Sequence, residues 1–254
     1  MSNKLDDITL YYYPKGDDAK KFTMKQNVIS DLYVQYLNGY KPPRTSRISV
    51  ELSNEDFLRN YSGSILTVNA KFDKEKYWEL SSIEQNQYIL DTTHRIALLC
   101  ANEYQWDKDI FSQAYEKVKK ANFKYEIEGK KKSSSDRKHK AAVLLMKNES
   151  YSTISVAFYD KSGKPIKTIE LIKSFQHEMF YGSIIKKHKW FNNREFGLYT
   201  TNEELTIRAS LDTDLSETSL NPKKSSIKEL EGYLRRITYR EFNDQKDIIE
   251  WMNK

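Results

Sequence analysis

At Phe123 the hydrophobic period of this chain changes. From there to about residue 211, apolar residues recur at every second position in the runs FKYEIE, AAVLLMK, YSTISVAFY, KPIKTIELI, EMFYGSIIK, EFGLYT and ELTIRASL. A period of two places alternate side chains on opposite faces of an extended strand, a pattern that no helix can bury. The segment DKSG, Asp160 to Gly163, has a tight-turn composition, and TTNE near Asn202 is a second one. Short connections require antiparallel neighbours, because a parallel pair needs a long crossover. The region about 123–211 is therefore expected to form a long antiparallel β-meander.

Upstream, the pattern is mixed. DITLYYY aligns Ile8, Leu10 and Tyr12 on one face, RISVEL aligns Ile48, Val50 and Leu52, and SILTVNAKF aligns Leu66, Val68, Ala70 and Phe72. Between the first two, Met24, Val28, Leu32 and Tyr36 repeat every fourth residue, with Gly39 placed to close a helix. A small βαββ region over 1–72 follows from this order. A helix pair comes next. Ser81 stands three residues before Glu84, the capping-box spacing in which each side chain satisfies the other's backbone donor. Asp107 then opens a helix whose apolar stripe is Ile110, Phe111, Ala114, Tyr115 and Val118. At the other end, Ser226 and Glu229 repeat the capping box, and Ile227, Leu230, Leu234 and Ile237 share one helical face.

The expected class is α+β, in which the meander packs with the central helix pair and the C-terminal helices. All 254 residues can form one unit, with a possible division into 1–72 and 73–254. The other long loop is expected from Asp212 to Ser225. No internal repeat is visible.

With 18 Tyr and 11 Phe the chain can fill a core. Its net charge of +6 is concentrated: Lys130, Lys131, Lys132, Arg137, Lys138 and Lys140, against Asp136, carry nearly all of it, so the rest is close to neutral. The single Cys100 excludes an intrachain disulfide. Neither a basic, apolar leader nor an apolar run of membrane-spanning length occurs, so a soluble, cytoplasmic protein with no membrane partner is expected.

The basic run EGKKKSSSDRKHK lies between two expected strands and reads as a long solvated hairpin loop. Its functional alternative is an electrostatic arm for phosphates or an acidic protein face, lacking an aromatic to stack on a base. A second basic stretch, Lys186, Lys187, Lys189, Trp190, Phe191 and Arg194, interleaves cations with rings. Single-strand binding grooves share that composition, but so do hairpin-packed aromatics and the centres of protein interfaces.

Familiar catalytic arrangements are missing. No two of the eight glycines stand within three positions, so neither dinucleotide nor Walker-type phosphate loops can be written. Cys100 and His94 would lie about 120° and roughly 9 Å apart on one helix, too far for a nucleophilic pair. His94 and Cys100 read as core residues. HEMFY has Tyr181 where a zinc-protease helix needs its second histidine. SLDTDLSE sets Asp212 and Asp214 at D-x-D spacing, two carboxylates that could face magnesium. This fragment resembles the first motif of the haloacid-dehalogenase hydrolases. That fold, however, opens a parallel α/β sheet with the motif, whereas here it follows a meander with about forty residues remaining. An acidic loop is the simpler reading.

No catalytic residue, metal or cofactor is thus expected. The function expected is protein binding, in the manner of a bacterial immunity-type inhibitor that occludes a toxin or enzyme. The alternative is a nucleic-acid-associated protein using the same two basic stretches.

Overall fold

The structure, a computed structural model, describes residues 4–13, 17–149, 151–174, 187–199 and 205–220. The chain divides into two compact units, Met1–Tyr125 and Glu126–Lys254. The division falls after Tyr125; the sequence reading took one unit, with a possible subdivision after Phe72.

In the first unit, β1 (Asp7–Tyr11), β2 (Arg47–Ser53), β3 (Phe57–Ser62) and β4 (Ile65–Lys71) form a sheet of order β1-β2-β4-β3. β1 pairs parallel to β2, and β2 parallel to β4. The first parallel step is made possible by the crossover helix α1 (Asp17–Tyr36). β3 is an addition to the expected βαββ order. It pairs antiparallel to β4 through Gly63, whose φ of +61° is the left-handed geometry a two-residue hairpin turn demands. Ile8, Leu10, Ile48, Val50, Leu66, Val68 and Ala70 are all buried, as the period-two alignment requires.

α2 (Lys74–Glu79), α3 (Ser82–Tyr104) and α4 (Lys108–Lys120) follow. Both halves of the capping box form: the Glu84 carboxylate accepts from the Ser81 backbone N–H at 2.9 Å, and the Ser81 side-chain oxygen accepts from the Glu84 backbone N–H, while the Ser81 hydroxyl also donates to the Glu84 carboxylate at 2.5 Å. Asp107 caps α4 by accepting from the Asp109 N–H at 3.0 Å. The sequence reading assigned this helix pair to the meander; it packs on α1 and, through α3, on β4. The physical reason is that α1 presents Phe22, Val28, Ile29, Leu32 and Tyr33, an apolar stripe too wide for the sheet alone to cover. Phe22, Phe72 and Tyr77 meet at ring distances of 5.3–5.6 Å and anchor the core.

In the second unit the strand pairings from β6 to β13 are antiparallel. β5 (Tyr125–Glu128), β6 (Lys132–Ser133), β7 (His139–Lys147), β8 (Ser152–Asp160) and β9 (Pro165–Ser174) make one sheet. β10 (His188–Trp190), β11 (Glu195–Tyr199), β12 (Leu205–Ser210) and β13 (Ser216–Leu220) make another. The expected single meander is therefore two sheets, and β9 packs on β12 and β13. The two sheets bury between them the apolar residues that an open sheet would leave wet on one side.

The Asp160 turn forms as expected: the Asp160 carboxylate accepts from the Ser162 hydroxyl and the Lys164 N–H. β13 lies inside the segment expected to be a loop. Its sequence SETSL has no apolar alternation, and its ladder with β12 is an edge pairing that periodicity cannot reveal. The expected strand EMFYGSIIK up to Lys186, the turn near Asn202 and the C-terminal helices after residue 220 lie outside the described residues.

Candidate functional site

The basic run is a short hairpin, tighter than the long loop expected. Lys132 pairs with Ala141 and Ser133 with Lys140, leaving Ser134 to Lys138 as the tip. Ser134 is buried and donates its N–H to His139 O at 2.9 Å. Asp136 organises the turn, accepting from the Ser134 hydroxyl at 2.7 Å and from the Lys138 N–H at 3.1 Å. These bonds, the hydroxyl first, hold its carboxyl below the usual carboxylate range. Arg137 takes a φ of +58° at the apex, a strained geometry for a non-glycine residue. Lys130, Lys131, Lys132, Arg137 and Lys138 are exposed, and Lys140 is half-buried.

The second basic stretch meets this hairpin, although more than fifty residues separate them. Lys132 Nζ donates to His188 O at 2.6 Å, and Trp190 Nε1 donates to Lys132 O at 2.9 Å. Asn193 Oδ1 accepts from the Asp136 N–H at 3.2 Å. Trp190, expected at the centre of a contact surface, is half-buried, with ring neighbours Phe158 at 5.9 Å and Phe196 at 5.3 Å. The alternation of β10 explains this: His188 and Trp190 share the face that meets Phe196, and Lys189 takes the other.

On that other face, Lys189 stands over the rings of Phe191 and Tyr199 at 5.2 and 5.1 Å, and Arg208 covers Phe191 at 4.2 Å. Lys131 lies 3.7 Å over the Tyr159 ring and 3.2 Å from Glu128. Burial, reinforced by the bond its hydroxyl donates to Glu128, pushes the Tyr159 phenol up to about 12. Arg194 and Lys187 are exposed, and Lys186 lies outside the described residues. Arg208 and Tyr159 escaped the sequence reading. Arg208 is a half-buried and Tyr159 a buried position of an ordinary strand, and only cross-strand register places them beside the cations.

The D-x-D pair is not arranged for a metal. Arg194 engages Asp212 through Nε at 3.0 Å and through Nη2. That hydrogen-bonded guanidinium holds the Asp212 carboxyl below its ordinary range. Lys167 lies 3.2 Å from Asp214. Among the described residues, no group of three His, Cys, Asp or Glu side chains could hold a metal ion. Cys100 is buried, and desolvation raises its thiol to about 12, leaving it a neutral packing group. Among the described residues, no helix is long and apolar enough to cross a membrane.

No protein-family model, curated protein or solved structure matches this chain.

Proposed function

We propose that the chain is a binding protein whose second unit docks an acidic face of another protein, in the manner of an immunity-type inhibitor that occludes a toxin or enzyme. The observation that carries this reading is the bonding of the basic hairpin, through Lys132 to β10 and through Asp136 to Asn193. Two basic stretches thereby become one preordered cationic surface, so little side-chain and loop entropy is lost on association. Its charge is also mixed. Lys131 pairs with Glu128 and Arg194 with Asp212, the alternation of sign that fixes register against a protein partner. Lys130, Lys132, Arg137 and Lys138 supply steering, and Trp190 positions the Lys132 backbone from within.

A nucleic-acid partner is the second reading, supported by the same density of cations. It is the weaker one because the rings here already have neighbours: Trp190 packs inward, and Phe191 is covered by Arg208 and Lys189. A base would find little open aromatic face.

The test uses the full chain and its Lys132→Glu/Arg137→Glu/Lys138→Glu variant. Wild type is expected to retain a host protein whose activity falls when the chain is added, and the variant to lose at least about 100-fold in affinity. If unspecific DNA or RNA is shifted instead, with a steep salt dependence that vanishes in the variant, the nucleic-acid reading replaces this one.

A further inference from the structure

β7 and β8 are buried on both faces, which the packing of two sheets does not by itself provide. One face carries Val143, Leu145, Ile154, Val156 and Phe158 and is turned toward the other sheet, where the Phe158 ring meets Trp190 at 5.9 Å. The opposite face carries a second apolar cluster, Ala142, Leu144, Ala157 and Tyr159, none more than 9% exposed. Ser155 and Thr153, which continue that face along β8, are buried as well. The described residues of the second unit contain no helix that could lie over them.

Burial outlines the footprint of the cover. It stops at β9, where Thr168, Glu170 and Lys173, the register partners of Ala157, Ser155 and Thr153, are exposed. It stops again at Met146, 47% exposed. What remains is a strip centred on β7 and β8, about 10 Å wide, the diameter of one helix with its side chains. Ala142 and Ala157 are direct cross-strand partners, so the middle of the strip is a trough between Leu144 and Tyr159. Lys131 lies over the Tyr159 ring, two residues along the strand from Ala157.

The chain runs on from Leu220 to Lys254, outside the described residues. There Ile227, Leu230, Leu234 and Ile237 recur at helical spacing behind the Ser226 and Glu229 capping box. Ile227 to Ile237 would cover about 15 Å at the helical rise, and Tyr159 to Thr153 is about 20 Å of strand. Residues 221–225 can reach up to about 17 Å when extended. They continue β13, which packs beside β9, the neighbour of β8. Large aliphatic side chains against a floor of alanines is the volume match that a close-packed contact needs. A second copy or a separate protein would need the strip to be open in the single chain, where it is buried.

We propose that the C-terminal segment 226–237 docks on this strip through its apolar stripe, with Leu230 and Leu234 seated over Ala142 and Ala157. The contact is separate from the basic end of the second unit, and neither reading depends on the other.

The test places one thiol in the trough of the full chain, as Ala157→Cys, with the native, buried Cys100 as the unreactive reference. Modification by a water-soluble maleimide is expected to be slow. Adding Leu230→Asp/Leu234→Asp should speed it by at least about tenfold, whereas Lys228→Asp/Arg236→Asp, on the polar side of the same segment, should leave it slow. Should Cys100 become reactive too, a second measurement decides. Ala157→Cys is combined in turn with Leu230→Cys, Leu234→Cys, Lys228→Cys and Arg236→Cys, and the oxidised proteins are mapped by mass spectrometry. A disulfide within one chain is expected from the two leucine positions alone, because the Cβ atoms must approach within about 4.5 Å. A trough thiol left slow by Leu230→Asp/Leu234→Asp with Cys100 unreactive, disulfides without preference for the apolar side, or disulfides only between chains would each overturn the proposal.

Discussion

In the first unit, long polar side chains turn inward. Tyr33 reaches His94, Tyr115 reaches Asp91, and Lys25 donates to Ser82 Oγ at 2.9 Å and Gln85 at 2.8 Å, all between helices. In the second unit the rings turn inward and the cations outward. Trp190 and Phe196 fill the packing under β10, while Lys130, Lys131, Lys132 and Arg137 stand in solvent. The difference teaches how each architecture treats polarity. Helices packed on a sheet leave crevices between cylinders, where a phenol or amide can be satisfied only by another buried side chain. In the second unit β7 and β8 are buried on both faces, and charge accumulates without desolvation where the strands end, at the Ser134–Lys138 tip, and on the face of β10 that carries Lys189.

The largest expected effect is on the first unit's core. Phe22→Ala removes a fully buried ring that packs on those of Tyr12, Phe72 and Tyr77 and should cost about 3–5 kcal/mol in urea unfolding. If the division between units is functional as well as structural, partner binding by the folded variant should not change. Gly197→Ala probes the other side of the comparison. An added Cβ would lie 2.0 Å from Ile207 O, a backbone atom that no rotamer change can move. A loss of about 1–3 kcal/mol is expected, together with weakened partner binding, because β11 supports β10. Unchanged binding in a destabilised Gly197→Ala protein would break the link between that sheet and the basic end.

Ser81→Ala removes one half of the capping box and should cost about 1 kcal/mol, read from the same denaturation curves. The smallest effect concerns Arg194 and Asp212, an exposed pair. Because the folded-state pKa of Asp212 is depressed, its pairing is complete above the ordinary aspartate value and is lost as pH falls through the lowered one. In Arg194→Ala, carboxyl carbon NMR should show Asp212 titrating at higher pH than in wild type. An unmoved titration would mean that the guanidinium does not hold this carboxylate in solution.

Much of the local structure was legible. Ser81 and Glu84 announced the start of α3, Asp160 to Gly163 announced a turn, and the alternation of Ile154, Val156 and Phe158 announced β8. Other elements were not. β3, FLRNYS, has mixed burial on both faces, and β13 is almost wholly polar, so neither carries an apolar rhythm. The candidate site was legible as two basic stretches and illegible as one surface. Nothing in KKKSSSDRKHK indicates that Asp136 will donate its N–H to Asn193, or that Lys132 will accept from Trp190.

The sequence by itself determined the change of period at Phe123, the helix caps, the turns and the confinement of net charge to a few residues, because each depends on atoms within a few positions of one another. Tertiary structure alone decided that the strand-rich half would close as two sheets, that its basic stretches would meet, and that His94 would line a cleft beside Asp91 and Tyr115. Those outcomes depend on which apolar faces find each other across fifty or more residues. That choice is made by burial and register, which no local pattern encodes.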